Sequence, residues 1–305
     1  MNNNPIVSVI IPTFNRKNLI SRAVRSVLNQ TYKNFELIII DDGSIDNTQE
    51  VIIRFQKNEP RIKYFYQENK GWPSALNKGL SIATGQYIAF LDSDDEWFDN
   101  KLEKQIEVFN KFPNVGLVSC WAYKICDEKN KKIYKTYNRI LNKKKWCLFW
   151  KKGGIISLST VIVKMKAINT IGKFDENLKS CADLDFYMRL IKNYDFYFVP
   201  EPLINYYETQ ESLSRKEFWV KWVDELEYIL RKHELALNKC KKSKSNIYKT
   251  LGTCYLIKGN NSKGRLYLLK SIFNNPLNIR LYAQFFISFL PFLYKKILFF
   301  KRKNF

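Results

Sequence analysis

Histidine is almost absent from this sequence of 305 residues, which contains one, His233. Zinc sites of the usual histidine type and hydrolysis by a Ser-His-Asp triad both need an imidazole in a matching motif, and His233 lies in a plain amphipathic segment. Glycine is missing from the turn "PTFNRKN" (12–18) that follows the first apolar run. A dinucleotide-binding dehydrogenase needs a Gly-x-Gly-x-x-Gly turn at that point, so the sequence argues against all three classes.

Cysteine pairs and long apolar runs are also missing. The six cysteines include no Cys-x-x-Cys pair, and the first apolar run, Ile6–Ile11, is too short for a signal peptide. We therefore expect the cysteines to be reduced and mostly buried. The apolar run near the carboxyl terminus, Phe285–Tyr294, has ten residues and contains Pro291. A membrane-spanning helix needs about 20 apolar residues, so we do not expect this run to span a membrane.

Acidic residues end at Glu234, and none follows it. Residues 215–305 hold 20 Lys and Arg against 5 acidic residues, in a chain of net charge +22. A basic segment rich in Phe, Leu and Ile is typical of a surface that lies on anionic lipid, and the alternative is a helix in the core of a bundle. We predict that residues 281–305 contact an anionic membrane surface. Nucleic acid is not expected as a partner, because the charge lies away from the motifs described next.

Short β-branched runs alternate with helical periodicity in the first 114 residues. Strands are predicted at residues 6–11, 35–40, 62–66 and 87–91, with amphipathic helices between them. Repeated strand-helix units predict a mostly parallel sheet, with a functional edge at the carboxyl ends of the strands. Three of these ends carry polar residues that we expect to converge: Thr13–Arg16, Asp41–Ser44 and Asp92–Asp94.

The pattern changes after Asn114. Further strands are predicted at 115–125, 131–137 and 157–163, before a helix that begins near Asp183. From about Lys216 the chain has helical periodicity. We therefore predict a domain at 1–215, with halves at 1–114 and 115–215, and a basic helical region at 216–305 that ends in the membrane-contacting segment.

Five segments resemble the successive motifs of the family 2 inverting glycosyltransferases, which have the GT-A nucleotide-sugar-binding fold. They occur in order over roughly residues 5–214: "VSVIIPTFNR", "FELIIIDDGSIDNT", "ENKGWPSALNKGL", "GQYIAFLDSDDEW" and "GKFDENL...ADLDFYMRL". The resemblance implies a Rossmann-like, mostly parallel α/β sheet with flanking helices. It also implies that residues 1–114 bind a nucleotide-sugar donor and that residues 115–215 bind the acceptor.

The run Asp92-Ser93-Asp94-Asp95 places three carboxylates in four residues. Residues two apart on an extended chain point the same way, so Asp92 and Asp94 can face one site while Asp95 turns towards solvent or a supporting partner. A hard divalent ion held by carboxylates stabilises a departing diphosphate, and the alternative reading is a solvated acidic turn. The resemblance implies that Asp94 binds Mn²⁺ or Mg²⁺. It places Asp92 towards the donor sugar and ribose, sharing the metal site, and Ser93 in the nucleotide site.

The resemblance places the rest of the nucleotide site on the loops after the first three strands. Asp42 is expected to contact the base, opposite the Pro12-Thr13 backbone, and Asn69 and Gly71 are expected near the diphosphate. Asp46 fits a helix N-cap, so we assign it a structural role. The predicted nucleotide-binding residues are Pro12, Thr13, Asn15, Arg16, Asp42, Asn69, Gly71, Asp92 and Ser93.

Inverting transfer needs one base on the face opposite the leaving diphosphate, whereas a glycoside hydrolase needs two flanking carboxylates. The resemblance places that base at Asp183, near a helix amino terminus whose dipole favours an ionised carboxylate. The family's usual Glu before it is Ala182 here. Asp185 is the rival candidate, and we expect it to cap the helix or to line the acceptor cleft.

Relatives commonly carry Arg or His near 205–215, where the chain can close over the diphosphate. Tyr207 cannot replace such a residue. The candidates that remain are Gln210, Ser214 and Arg215.

The sequence therefore predicts an inverting, metal-dependent glycosyltransferase, with a UDP-sugar as the favoured donor. The basic tail favours an acceptor tethered to the cytoplasmic face of a bacterial inner membrane: a lipid-linked oligosaccharide, lipopolysaccharide or capsule glycan. One alternative, a sugar nucleotidyltransferase, shares the sheet and the metal carboxylates but would lack the base on a later helix. The other is a non-catalytic basic protein that binds membranes or polyanions, which would not need the metal and base residues.

Overall fold

The structure is a computed structural model that describes residues 6–127, 130–135, 139–142, 156–207 and 223–290. The chain divides into two compact units. The first comprises Met1–Trp146 and Ile155–Thr209, and the second comprises Cys147–Gly154 and Gln210–Phe305. The boundary predicted after residue 215 falls outside the described residues and stays a prediction.

Strands and helices alternate along the first unit up to Phe90, as the sequence predicts. The strands of this unit are β1 (Val7–Thr13), β2 (Phe35–Asp42), β3 (Ile62–Gln67), β4 (Tyr87–Phe90), β5 (Glu96–Trp97), β6 (Val115–Asp127), β7 (Asn130–Tyr134), β8 (Arg139–Leu141), β9 (Ile162–Lys164) and β10 (Asp195–Tyr207). Its helices are α1 (Ile20–Leu28), α2 (Thr48–Gln56), α3 (Trp72–Ile82), α4 (Lys101–Lys111), α5 (Met165–Ile171) and α6 (Ala182–Ile191).

All of these strands join one sheet within the described part of the chain. The order is β3-β2-β1-β4-β9-β6-β10-β5, with β7 beside β6 and β8 beside β10. Pairing is parallel from β3 through β2 and β1 to β4, and again between β6 and β10. Strand β9 joins the two halves by antiparallel pairing with β4 and β6. The predicted α/β class is confirmed, with a parallel first half and a mixed second half.

The strand expected at 157–163 is shorter in the structure. A 3₁₀ turn occupies Leu158–Thr160, and β9 begins only after it. The Ser159 hydroxyl donates to Asp95 and accepts from the Asp92 N–H. These side-chain hydrogen bonds outweigh the β propensity of the β-branched run, because they need Ser159 to face the turn after β4.

Strands β1 and β2 are buried along their whole length, as expected where helices cover both faces of a parallel sheet. Val9 and Leu37 are completely inaccessible to solvent. Helix α1 buries Val24 and Val27 on the same core, and its apolar residues recur every three to four positions. The core therefore fixes the strands whose ends carry the polar motifs.

A buried carboxylate ties together the amino ends of this parallel half. Glu36, 3% exposed, accepts from Ser8 Oγ of β1 (2.5 Å) and from Lys63 Nζ of β3 (2.7 Å). The N–H and Oγ1 of Thr84, which precedes β4, also donate to it (both 2.8 Å). Burial opposes ionisation, but the donors outweigh it and hold the pKa of Glu36 below its usual value. One side chain therefore connects four neighbouring segments.

The second unit is helical in its described part. Its helices are α7 (Val223–Lys232), α8 (Glu234–Asn238), α9 (Lys241–Ile257), α10 (Asn261–Asn274) and α11 (Ile279–Ile287). Helices α9 and α10 pack closely, since a Cβ added to Gly252 would lie 2.9 Å from the Gly264 carbonyl oxygen. None of the described helices is both long and apolar enough to cross a membrane. The predicted membrane segment beyond Leu290 lies outside the described residues.

Three cysteines, Cys120, Cys181 and Cys254, are free and buried, as the sequence predicts. Cys240 is disulfide-bonded, so the expectation that all six cysteines are reduced is wrong at this position. Its partner lies outside the residues whose side chains are described. Sequence spacing reveals close pairs such as Cys-x-x-Cys, but it does not reveal which distant cysteines the fold brings together.

Candidate active site

The carboxyl ends of β1, β2 and β4 meet at one edge of the sheet. Thr13 pairs with Asp41 across β1 and β2, and the Leu91 N–H donates to the Ile10 carbonyl (3.1 Å), which brings the turn at Asp92 beside β1. Thr13 is 2% exposed, and its Oγ1 has no hydrogen-bond partner within the described part of the chain. A buried hydroxyl of this kind can be satisfied by a bound ligand. The predicted convergence of the three strand ends is therefore present.

The loops after β1 and β2 are hydrogen-bonded to each other. The Asn15 N–H donates to Ser44 Oγ (2.8 Å), and the Ile45 N–H donates to Asn15 Oδ1 (2.9 Å). Asn15 has a φ of 52°, a left-handed conformation that asparagine adopts more readily than most residues. Asp46 accepts from backbone N–H groups of both loops (3.0 and 3.2 Å), which is a structural role, but the N-cap of α2 is Asn47 and not Asp46 as predicted. These bonds hold the two loops at one edge.

Asp42 fixes the loop between β3 and α3. Its Oδ1 accepts from Gln67 Nε2 (2.7 Å) and from the Lys70 N–H (2.9 Å), and its Oδ2 accepts from the Gly71 N–H (2.8 Å). Gly71 has a φ of +91°, which favours glycine at this position. Through these bonds, Asn69 and Gly71 come to the same edge as Asp42. The carboxylate predicted to contact the base is 4% exposed and already accepts three hydrogen bonds from the protein.

The acidic turn after β4 is held by Ser159. The Asp92 N–H donates to Ser159 Oγ (3.0 Å), which in turn donates to Asp95 Oδ2 (2.6 Å). Asp95 Oδ1 accepts from the Tyr207 N–H (3.1 Å), and Asp95 is 1% exposed. Of the two orientations expected for Asp95, the structure has the one towards a supporting partner. Asp92 and Asp94 remain partly accessible to solvent.

The pKa values of Asp92 and Asp94 are both raised, chiefly by removal from water. Removal from water is the largest cause at Asp92, and the negative charges of Asp94 and Asp183 add to it, so that its pKa rises to about 7. Removal from water also raises the pKa of Asp94, and the positive charges of Arg16 and Arg22 partly offset this rise. A bound cation stabilises the ionised form of such carboxylates.

Asp183 lies in the first turn of α6, and its Oδ1 accepts from the Leu184 N–H (2.7 Å). Its charge acts on Asp92, so the structure brings the predicted base to the carboxylates after β4. Sequence analysis missed Tyr187, which is completely buried. Burial, followed by the charges of Asp183 and Asp92, raises its pKa well above the usual value. The signal that could have found Tyr187 is its spacing of four residues from Asp183 on one helix.

Asp185 has a structural partner in the fold. It is completely buried, and its Oδ2 accepts from Arg189 Nε (2.8 Å). Arg189 also donates to the carbonyls of Ile171 and Gly172 (2.7 and 3.0 Å), at the end of α5. The expectation that Asp185 lines the acceptor cleft is therefore corrected. Helical spacing of four residues lets Asp185 and Arg189 pair inside the fold instead.

Most of the other predicted residues occupy the same edge. Pro12 lies within β1, the Arg16 N–H donates to Thr48 Oγ1 at the start of α2 (2.9 Å), and Ser93 is buried in the acidic turn. The predicted closing residues, Gln210, Ser214 and Arg215, lie outside the described residues, and their role stays a prediction.

The donor set fits a divalent ion that is shared with a substrate. Among the described residues, no group of three or more His, Cys, Asp and Glu side chains is arranged to hold a metal ion. Asp92 and Asp94 offer two carboxylates. Mg²⁺ sites commonly combine one or two carboxylates with substrate phosphates and water, so the residues present fit an ion that binds together with a diphosphate.

A parallel sheet whose carboxyl edge carries a carboxylate cluster defines an α/β protein of the kind that binds ligands at that edge. Comparison with known families makes the class specific. Residues 8–172 match Glycosyl transferase family 2, and the chain belongs to this family of transferases.

Curated relatives agree with this assignment. An uncharacterized glycosyltransferase of Rickettsia typhi, RT0329, is 36% identical over 203 residues, which cover 66% of this chain and 63% of the relative. The putative teichuronic acid biosynthesis glycosyltransferase TuaG of Bacillus subtilis is 47% identical over 104 residues, covering 34% of this chain and 41% of that protein. The match to RT0329 thus spans less than two thirds of the relative's length.

Solved structures share the fold at low sequence identity. TarS 1-349 of S. aureus in complex with UDP-GlcNAc superposes with a TM-score of 0.69 at 17% identity, covering 98% of this chain and 92% of that chain. The mannosyltransferase PcManGT of Pyrobaculum calidifontis, in complex with GDP-Man and Mn²⁺, gives a TM-score of 0.59 at 16% identity, covering 95% and 86%. The predicted GT-A fold is therefore confirmed, and the predicted glycosyltransferase family is confirmed by the family match described above.

Proposed function

We propose that this protein is an inverting, divalent-metal-dependent glycosyltransferase. It transfers a sugar from a nucleotide donor, a UDP-sugar, to a hydroxyl group of a membrane-tethered glycan. The reaction is a single displacement in which Asp183 acts as the base. Asp92 and Asp94 bind the metal ion that accompanies the donor diphosphate.

One observation carries this proposal: α6, which bears Asp183, packs on β4, which leads to Asp92. The Phe186 and Phe90 ring centres lie 6.5 Å apart, and the charge of Asp183 contributes to the raised pKa of Asp92. Asp183 and Asp92 come from different halves of the first unit. In a single displacement, the carboxylate that binds the sugar donor and the base that deprotonates the acceptor must lie in one site. The pair thus has the arrangement that the reaction needs.

The donor assignment draws on the structural neighbours. TarS has been solved with UDP-GlcNAc and PcManGT with GDP-Man and Mn²⁺. In the present chain, the unpartnered Thr13 hydroxyl and the Asp42 carboxylate lie at the end of β1 and β2, where the base and ribose would bind. We favour UDP because the neighbour with the higher TM-score, 0.69, holds a UDP-sugar.

The chain's own residues account for the chemistry as follows. The Leu184 N–H, at the amino end of α6, donates to Asp183 Oδ1 and orients this carboxylate, which accepts the proton of the acceptor hydroxyl in the proposed reaction. A base on the face opposite the diphosphate leads to inversion at the anomeric carbon. Tyr187 is completely buried, and the charges of Asp183 and Asp92 both act on it, so its ring helps to exclude water from this side of the site. When bound, the divalent ion neutralises charge on the leaving diphosphate.

The membrane-tethered acceptor is supported by the second unit. Helix α10 exposes Leu266, Leu269 and Phe273, and α11 exposes Ile279, Tyr282 and Phe286, each set at a spacing of three and four residues. No acidic residue occurs beyond Glu234. Apolar stripes in a basic, acid-free segment fit an anionic lipid surface. The name of TuaG, a relative linked to teichuronic acid, favours a surface polysaccharide as the product.

The match to Glycosyl transferase family 2 supports sugar transfer over the two alternatives raised by the sequence, a sugar nucleotidyltransferase and a non-catalytic basic protein.

Calorimetry tests the proposal directly. UDP, GDP and dTDP are titrated into the purified protein, each with and without Mn²⁺, and into the Asp94→Ala variant. We expect UDP to bind tightly only with Mn²⁺, and Asp94→Ala to lose the metal-dependent part of the affinity. The Glu103→Ala variant, changed at a carboxylate on α4, should behave like the wild type. Absence of nucleotide binding under every condition would overturn the proposal.

A further inference from the structure

Arg22 and Tyr207 contact the acidic turn from two elements that the sequence motifs do not connect. Arg22, on α1, donates from Nη2 to the Asp94 carbonyl, and its guanidinium carbon lies 3.6 Å from the centre of the Tyr207 ring. Tyr207, the last residue of β10, donates its N–H to Asp95 Oδ1 (3.1 Å) and its hydroxyl to Glu96 Oε2 (3.1 Å). Each of three consecutive acidic residues is therefore held by one of these two side chains or by the Tyr207 backbone.

The stack makes these contacts depend on one another. A planar guanidinium over an aromatic face is attracted by the ring, and its flat shape limits the directions in which its N–H groups can point. Arg22 can therefore reach the Asp94 carbonyl in one orientation while it covers Tyr207. Asn205, also on β10, donates from Nδ2 to Glu96 Oε2 (2.8 Å), which gives this carboxylate a second donor from the same strand.

We propose that Arg22 and Tyr207 form a brace that fixes the orientation of the turn at Asp92–Asp95. With the brace in place, Asp92 and Asp94 present their carboxylates to a diphosphate and its divalent ion in one arrangement. Both brace residues are positioning residues, because they act through the turn and not on the substrate. The role of Tyr207 needs no positive charge, which is why a search for Arg or His near this point overlooked it.

The brace should affect ligand binding because it sets the fraction of molecules in which Asp92 and Asp94 are oriented to bind the metal ion and diphosphate. If the turn samples several orientations, the apparent dissociation constant rises in proportion to the loss of the competent fraction. The effect should therefore appear in metal-dependent binding, which uses Asp92 and Asp94. Nucleotide binding in the absence of metal should change little. This consequence rests on the proposed function, whereas the rigidity of the turn is a property of the protein alone.

Hydrogen-deuterium exchange of the unliganded protein tests the rigidity. We expect the backbone amides of 92–97 to exchange about tenfold faster in Arg22→Gln and in Tyr207→Leu, as after loss of one hydrogen bond from a charged donor. Arg25→Gln is the matched control. Arg25 lies on the same helix and its guanidinium carbon is 5.9 Å from the centre of the Phe55 ring, so it has similar chemistry away from the turn. It should leave this exchange unchanged.

A titration of Mn²⁺ at fixed UDP tests the consequence. We expect the half-saturating Mn²⁺ concentration to rise about tenfold in Arg22→Gln and Tyr207→Leu, matching the exchange result. Tyr207→Phe keeps the ring and the backbone N–H and should stay within about twofold of the wild type. The double variant Arg22→Gln/Tyr207→Leu should have a half-saturating Mn²⁺ concentration no higher than that of the more strongly affected single variant, because both changes remove the same brace.

The outcomes separate the brace from the proposed function. Unchanged exchange and unchanged Mn²⁺ dependence in folded variants would overturn the brace. Faster exchange in the variants, combined with a wild type that binds no UDP, would support the brace and overturn the proposed function. If Tyr207→Leu does not fold, Arg22→Lys, which keeps the charge but not the planar stack, carries both measurements with the same expected directions.

Discussion

Asp92 in the first unit and Glu227 in the second are both partly buried carboxylates, and their pKa values shift in opposite directions. In the first unit, burial and the charges of neighbouring carboxylates raise the pKa of Asp92 to about 7. In the second unit, burial opposes the ionisation of Glu227 as well, but Tyr255, Lys263 and Tyr267 donate to it at 2.6, 2.9 and 2.8 Å and lower its pKa. Glu227 is thus paired with hydroxyl groups and a cation of its own unit, whereas Asp92 is crowded by like charge.

This contrast separates stability from function. A carboxylate whose pKa is lowered by folding contributes to stability at neutral pH, and its oxygens are already occupied by donors of the protein. A group of carboxylates that repel one another stores unfavourable electrostatic energy, which a cation or a proton can relieve. A raised pKa therefore marks Asp92 in the candidate site, whereas Glu36 and Glu227, which have donors of their own, have lowered pKa values.

The largest effect is expected for Asp183→Asn. This variant tests whether the crowded carboxylates of the first unit have a catalytic function, as the comparison assumes. We expect kcat for sugar transfer to fall by about 10³-fold, within the range for loss of a general base, while UDP affinity stays within about twofold. Transfer assays and calorimetry measure the two quantities. Normal transfer by Asp183→Asn would remove this residue as the base.

Lys101 extends the comparison to a basic group. It is completely buried in the first unit, where burial also disfavours the charged form of Asp92. Its Nζ donates to Gln105 Oε1 (2.6 Å) and lies 3.9 Å from the centre of the Trp97 ring. These contacts favour the charged form, but burial is the dominant effect and lowers the pKa of Lys101 to about 7. The folded protein therefore releases this proton at a lower pH than the unfolded chain does.

The sign of the resulting pH dependence follows from linkage. Between pH 7 and about 10 the unfolded chain binds more protons at Lys101, so the free energy of unfolding rises with pH. Relative to Lys101→Met, we expect the wild type to gain about 1.4 kcal/mol per pH unit over this window. Urea denaturation of both proteins across the window measures it. Parallel curves would mean that folding does not shift the titration of Lys101.

The exposed apolar side chains of α10 and α11 allow a test of the function proposed for the second unit, which is contact with a membrane. Phe273 and Phe286 are 81% and 66% exposed, so Phe273→Ser/Phe286→Ser should leave the thermal midpoint unchanged. We expect binding to vesicles that contain phosphatidylglycerol to fall by at least about tenfold, because two aromatic side chains no longer enter the lipid. Leu235→Ser, at an 85% exposed position on α8, is the control.

Vesicle sedimentation and size-exclusion chromatography distinguish the outcomes. Unchanged vesicle binding by the double variant would contradict a role for the stripes. A wild type that forms dimers which the double variant does not form would show that a second copy covers this surface instead.

The smallest effect is expected for Glu227→Gln. The amide can still accept from the tyrosine hydroxyls but loses the ion pair with Lys263, so we expect a loss of about 1 kcal/mol in the stability of the second unit. Since the pKa of Glu227 is lowered by folding, its contribution is present above the unfolded value and is lost as pH falls below about 4. Thermal unfolding at neutral and acidic pH measures this. UDP affinity should not change, and a large change would connect Glu227 to catalysis.

The elements of the parallel half could be predicted from the sequence because their patterns are local. β-branched runs and helical periodicity located β1 to β4 and the helices between them. The second half was less predictable, since β9 is short and Leu158–Thr160 forms a 3₁₀ turn. The cause is the Ser159 hydroxyl, which serves the turn after β4 through contacts that only the folded chain makes.

The candidate site divides in the same way. The family resemblance placed Asp92, Asp94 and Asp183 in one site, and in the structure the charge of Asp183 acts on Asp92. The sequence did not reveal that Asp185 pairs with Arg189, or that Tyr207 contacts the acidic turn, because both depend on which side chains packing brings within reach.

The carboxylate of Glu36, at the edge of the sheet away from the site, has a consequence for assembly. A slip of β2 by one residue would turn Glu36 to the opposite face, away from Ser8 and Thr84, and leave its charge buried without those donors. The same register sets Thr13 opposite Asp41 at the active edge. Glu36 therefore disfavours the wrong register of β2, because the pairing that completes its hydrogen bonds is also the pairing that assembles the site.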